Sequence, residues 1–140
     1  MHALRFGLAA LGLAVALPAA AQNYVASAMT SVASDLRNEG YRTVALRTRA
    51  ALTEGQARSF VVRLQGGRTY AFRGVCDEDC HDLDLMVYDN RGNLVEQDAS
   101  DDDVPQVTFT PRNTGRFRIT VRMYNCDQEP CAFGVVGAGQ

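Results

Sequence analysis

The residues with the most chemical potential lie together in GVCDEDCHDLDLMVYDNRGN, residues 74 to 93. This stretch sets Cys76, Cys80, His81 and six acids side by side. Cys76, Cys80 and His81 have C-x3-C-H spacing, which offers a zinc ion three of its four ligands. Asp82 and Asp84 alternate on a strand pattern, so their carboxylates share a face, with β-carbons roughly 6–7 Å apart. Calcium takes about six to eight hard oxygens. Asp82 and Asp84, with Asp101, Asp102 and Asp103 folding over them from a later loop, are candidates to supply some. The D-x-D-x-D-G run of an EF-hand loop is absent. The competing reading is an acidic edge, solvated and neutralised by neighbouring arginines.

Catalysis has less to work with. His81 is the sole histidine beyond the first residues, no G-x-S-x-G elbow occurs, and Ser59 and Ser100 have no special context. Asp82 and Asp84 are the one carboxylate pair placed for acid–base work on a glycoside. No glycine-rich phosphate loop or second cluster accompanies them, and the expectation is a protein that is not an enzyme.

The cysteines point to compartment more than to metal. Residues 1–21, MHALRFGLAALGLAVALPAAA, have a lone Arg5, an apolar run of twelve from Phe6 to Leu17, the breaker Pro18 and a small-residue Ala19-Ala20-Ala21. That is the grammar of a signal peptide cleaved before Gln22, too short to span a bilayer unaided. In an exported chain Cys76, Cys80, Cys126 and Cys131 should be oxidised. Three pairings are possible, and the local one, Cys76–Cys80 with Cys126–Cys131, is favoured because each pair sits where a strand pattern stops. Bridged Cα atoms lie roughly 4.4–6.8 Å apart whereas four strand steps cover about 13 Å, so the chain must turn within 76–80. The expected location is periplasmic or secreted.

Charge is polarised. Residues 76–103 hold eleven acids and one base, Arg91, while residues 22–75 hold eight arginines and three acids. With arginines scattered singly in a mildly acidic chain, nucleic acid is not an expected partner. No later stretch is apolar enough to cross a membrane.

These groups sit on a β-scaffold. A helix is expected over 23–38, within an N-terminal unit of residues 22–40. Val25, Met29, Val32 and Leu36 recur at helical spacing, Asn23 is a candidate cap and Gly40 a C-terminal glycine. The stripe is read either as cover for the domain's edge or end, or as a dock for a protein partner. From 41 the period becomes two: 41–47, 58–64, 69–73, 82–88, 94–95, 107–109, 116–123 and 133–135 alternate apolar and polar residues. Gly66-Gly67, Asp89–Asn93 and Asn113–Gly115 turn the chain between them. Seven or eight short strands with turns every eight to twelve residues predict an all-β antiparallel sandwich, jelly-roll-like, over residues 41–140. Met86 and Tyr88 share the face of Asp84 and, with Tyr124, form either an outer ligand patch or a seat for the helix.

The order GRTYAFRGVC…DLDLMVYDNRGNLV…TPRNTGRFRITVRM resembles the bacterial pre-peptidase C-terminal (PPC) β-sandwich over residues 52 to 137. Gly67 to Tyr70 match its G-x-x-Y strand. Asp82, Asp84, Asp89 and Gly92 match its D-x-D-x-x-x-x-D-x-x-G segment, and Gly115 with Phe117 open its late strand. The resemblance implies a non-catalytic module, in some relatives steadied by calcium, in some binding collagen or polysaccharide. The expected function is binding of an extracellular or envelope polymer. The alternative is an accessory envelope protein that docks a protein partner through Val25, Met29, Val32 and Leu36.

Overall fold

The computed structural model describes residues 16–140. Residues 1–15 of the expected signal peptide lie outside the described residues. Helix α1 spans Ala19–Asn38, beginning earlier than the expected 23. Ala19-Ala20-Ala21 are the strongest helix formers, and Pro18 sits at the start with φ −57°, a position proline tolerates. Asn23 is therefore inside the helix and caps nothing. The C-terminal end is as expected: Gly40 takes φ +98°, its N–H donates to the Arg37 carbonyl and the Tyr41 N–H donates to the Leu36 carbonyl. That double closure is the Schellman arrangement, which favours glycine at this position.

Eight strands follow: β1 (Thr43–Leu52), β2 (Ala57–Leu64), β3 (Tyr70–Cys76), β4 (Cys80–Tyr88), β5 (Leu94–Asp98), β6 (Gln106–Phe109), β7 (Gly115–Cys126) and β8 (Cys131–Gly139). Each expected strand is present, and β1 runs on to Leu52. Pairing is nested and antiparallel: β1 with β8, β2 with β7, β3 with β6, β4 with β5. A long hairpin rolled up on itself gives this pattern. It yields two sheets, β1-β8-β3-β6 and β2-β7-β4-β5, which is jelly-roll topology.

The inward residues of the two sheets form the main core. Phe72, Leu83, Leu85, Val87, Ile119, Val121, Met123, Phe133 and Val135 are all fully buried there. They occupy alternate positions because strand side chains point to opposite faces in turn. A second, smaller core lies outside the first sheet. Val25, Met29, Ala33 and Leu36 of α1 pack onto Ala71 and Val75 of β3 and Ala132, Val136 and Ala138 of β8. Strand β8 is thus covered on both faces, and all of its residues are buried. Close approach of the helix depends on Gly134, where a β-carbon would collide with the Met29 side chain.

Candidate functional site

The strands run between two ends of the sandwich, and the cysteines define one of them. Cys76–Cys80 and Cys126–Cys131 are both bridged, with Cα separations of 5.9 and 6.0 Å, and no described cysteine is free. Cys76 and Cys80 are consumed by their bridge, so the zinc reading of Cys76, Cys80 and His81 falls. Two bridges fit an oxidising compartment.

The two loops are laced together by a residue that sequence patterning did not single out. Asp77 is buried; its Oδ2 accepts the Ala132 N–H at 2.6 Å and its Oδ1 accepts the Asp79 N–H at 3.2 Å. Its backbone N–H donates to the Ala132 carbonyl, and the Asp127 N–H donates to the Asp79 carbonyl. His81 Nε2 meets the Asp127 carboxylate at 2.7 Å in the exposed rim. His81, at the start of β4 just past Cys80, ties that strand end to the Cys126–Cys131 ring.

The five acids expected to hold calcium are not assembled as a ligand set. Asp82 and Asp84 are buried on β4, while Asp101, Asp102 and Asp103 are exposed in the β5–β6 loop. Asp102 is occupied locally: Oδ1 accepts the Val104 N–H at 2.9 Å and Oδ2 accepts the Ser100 hydroxyl at 3.2 Å. Asp98 serves the same loop, accepting the Gln106 N–H at 2.9 Å. Among the described residues no group of three or more His, Cys, Asp or Glu side chains is placed to hold a metal ion. Asp82 Oδ1 is buried without a partner, but one orphan oxygen is far from the six to eight or so that calcium requires. The residues do not fit a resident calcium ion. Millimolar calcium is accordingly expected to leave the melting temperature of chelator-treated protein unchanged, as read by scanning calorimetry with and without EDTA.

Burial instead perturbs the pair's titration. Burial first, then the charges of Asp84 and Asp101, push the Asp82 carboxyl above its ordinary value. Burial raises Asp84 too, with Arg122, its neighbour across the β4–β7 pairing, pulling the other way. A carboxyl raised on folding binds its proton more tightly in the native state. Its stabilising contribution is present below the unfolded-state value of about 3.9 and is lost as pH rises through the raised native value. Asp98 runs opposite: hydrogen bonds from Ser100 and Gln106 outweigh its burial and lower it, so its contribution is lost as pH falls. Replacing Asp82 with Asn is expected to stabilise the protein at pH 7 by about 1 kcal/mol, because a desolvated charge is removed. The gain should vanish on titration below about pH 4, the ordinary carboxylate range, as the wild-type carboxyl protonates. Urea unfolding at the two pH values reads both effects.

The helix stripe is spent on the protein itself. Val25, Met29 and Leu36 are 1–4% exposed against the first sheet, and Val32 is half-buried at the margin. Because α1 lies there, it does not cover Met86 and Tyr88. Their sheet, β2-β7-β4-β5, has a bare outer face. Across it run Val61 on β2, Arg118, Arg122 and Tyr124 on β7, and Met86 and Tyr88 on β4. Val61 and Tyr124 are 68% and 57% exposed. The Arg118 guanidinium sits 4.6 Å from the Tyr88 ring centroid, and Arg122 sits 5.7 Å from that of Tyr124. Such stacking holds the cations flat against the sheet.

The remaining motif positions are structural. Tyr70 is buried, and its hydroxyl accepts the Gln65 N–H at 2.9 Å, closing the turn in which Gly67 takes φ +82°. Asp89 Oδ1 accepts the N–H groups of Arg91 and Asn93, both at 2.9 Å, around Gly92 at φ +83°. Those bonds hold the Asp89 carboxyl below its ordinary value. Phe117 packs against Phe109, with ring centroids 5.7 Å apart.

This architecture defines the class: an eight-stranded jelly-roll sandwich with an N-terminal helix on one sheet. Among solved structures it is similar to the pre-peptidase C-terminal domain of a collagenase from Bacillus anthracis. The TM-score is 0.54 at 9% identity, over 69% of this chain and 90% of that one. It is similar to the same degree to PliG of Aeromonas hydrophila, a periplasmic inhibitor of g-type lysozyme, with TM-score 0.54 and 11% identity over 73% and 90%. At these identities the likeness is one of fold. No family model and no curated protein matches the chain in sequence.

Proposed function

We propose that the chain is an exported, non-catalytic binding module for an extracellular or envelope polymer, and that it binds through the β2-β7-β4-β5 sheet. The observation that carries this reading is the asymmetry of the sandwich. One sheet is closed by the protein's own helix, while the other presents Val61, Met86, Tyr88 and Tyr124 with stacked arginines to solvent. A partly apolar face with stacked cationic donors suits an extended chain molecule. The two bridges support export, with residues 1–21 as the signal. Cleavage before Gln22 removes only the first residues of α1 and leaves Val25, Met29, Ala33 and Leu36 in place.

The reading is tested by retention of the oxidised protein on a panel of immobilised neutral and acidic polysaccharides. Retention by at least one polymer, weakened severalfold by Tyr88→Ala with Tyr124→Ala, is the expected result. No retention on any of them overturns the reading. Docking through Val25, Met29, Val32 and Leu36 gains no support from a stripe already buried against β3 and β8.

A further inference from the structure

The end of the sandwich opposite the disulfides has its own character. Between the β4–β5 turn and the β6–β7 turn lies a groove of about 690 Å³, within the range of small-ligand sites. A second groove of about 550 Å³ continues from it onto the bare sheet, sharing Asp89, Asn90, Gly115, Arg116 and Phe117. Five exposed arginines line the two: Arg91 and Arg112 in the first, Arg116 in both, Arg63 and Arg118 in the second. The ion pairs among the described residues, Arg73 with Glu39 and His81 with Asp127, lie elsewhere. The acid within the grooves, Asp89, is already engaged by the N–H groups of Arg91 and Asn93 and by the Asn93 amide. The rest of the acid excess lies in or near the cysteine loops and the β5–β6 loop.

Unpaired guanidiniums around a groove recognise planar anions, which they grip through two parallel N–H donors. The floor is not uniformly charged. Phe109, Phe117 and Pro111 supply apolar surface, and the exposed amides of Asn90 and Asn113 stand between the arginines. Guanidiniums for carboxylates, amides for hydroxyls and aromatic surface for the C–H faces of sugar rings together match an acidic sugar.

We propose that these joined grooves are the ligand site, and that they take a carboxylate-bearing polysaccharide chain. Arg112 and Arg116 grip a carboxylate at the mouth, and Arg63 and Arg118 carry the chain onto the open sheet. The inference rests on the polymer-binding reading above, and adds to it the place of the site and the sign of the ligand.

The test is titration of the protein with polygalacturonate, with its methyl ester (the same backbone without charge) and with poly-glutamate. Wild-type protein should prefer polygalacturonate over the ester by at least about tenfold. Arg112→Gln with Arg116→Gln should abolish that preference, while Arg58→Gln, outside the grooves, should leave it intact. Unchanged melting curves establish that the variants are folded. Equal affinity for acid and ester, insensitive to the arginine changes, overturns the groove and leaves polymer binding standing. Tighter binding of poly-glutamate than of polygalacturonate identifies an acidic protein as the occupant and overturns the sugar. Absence of all three from the complex overturns the proposal, and the neutral polymers of the earlier panel then decide whether the broader reading falls with it.

Discussion

Leu36→Asp is expected to be among the most damaging single changes on α1, lowering unfolding free energy by about 4 kcal/mol. Leu36 is 1% exposed between the helix and the first sheet. Removing its side chain from that position forfeits about 1.5–3 kcal/mol of burial, and the carboxylate that replaces it is desolvated without a partner, which adds to the loss. Domains of this size are stable by only about 5–15 kcal/mol, so the variant should be partly unfolded at physiological temperature. Urea denaturation followed by circular dichroism reads the loss. Val32→Asp, on the same stripe but half-exposed, should cost no more than about 1 kcal/mol. The contrast separates a core helix from a docking helix: if the stripe served a partner, both changes would abolish a complex while leaving stability alone.

The helix shows where the sequence was legible and where it was not. Periodicity found the stripe, because Val25, Met29 and Leu36 recur at 3.6-residue spacing whatever they pack against. It could not name the surface beneath. The signal was present in β8, whose outward positions Ala132, Gly134, Val136 and Ala138 are small and apolar where β7 has Arg116, Arg118, Thr120 and Arg122. A sheet face built of alanine and glycine leaves room for a helix; a face of arginines does not. The strands were easier. One apolar face per strand follows from burial of one side only, so β2, β3, β4 and β7 could be read to within a few residues. The sheet order is not in the periodicity at all. It emerges from the nesting of β1 with β8 and of β2 with β7, which pairs residues far apart in sequence.

The candidate sites divide along the same line. Local features were readable: both cysteine rings close over four or five residues, and the Asp89–Asn93 turn is held by its own side chain. Features assembled from distant segments were not. Asp84, Asp101 and Asp102 are close enough to raise Asp82, yet Asp102 turns its carboxylate to the Val104 N–H of its own loop instead of to a shared ion. The arginine groove joins β2, the β4–β5 turn and the start of β7, and no window of sequence contains all three. Arginines that looked like a neutralising outer row are, among the described residues, largely unpaired.

The other large effect belongs to Asp77. Asp77→Ala is expected to cost about 3 kcal/mol, more than the roughly 2 kcal/mol attributable to either short disulfide ring on the chain-entropy picture. The bridge stiffens its own loop, whereas the carboxylate joins two loops. It is the buried acceptor for the Ala132 N–H, just past Cys131, and for the Asp79 N–H, inside the other ring. Truncation leaves the Ala132 N–H buried beside an apolar methyl with no acceptor, and a buried donor left unmade carries its full desolvation cost. Glu54 braces the same junction from the β1–β2 turn, accepting the Cys126 N–H at 3.2 Å. Because Asp77 and the Cys126–Cys131 bridge position the same segment, their effects should not add. Combining Asp77→Ala with Cys126→Ala and Cys131→Ala is expected to cost less than the sum of the parts, by about 1 kcal/mol. Strict additivity in a denaturant double-mutant cycle would mean that the bridge acts only within its ring, and that the carboxylate alone holds the disulfide end of the sandwich together.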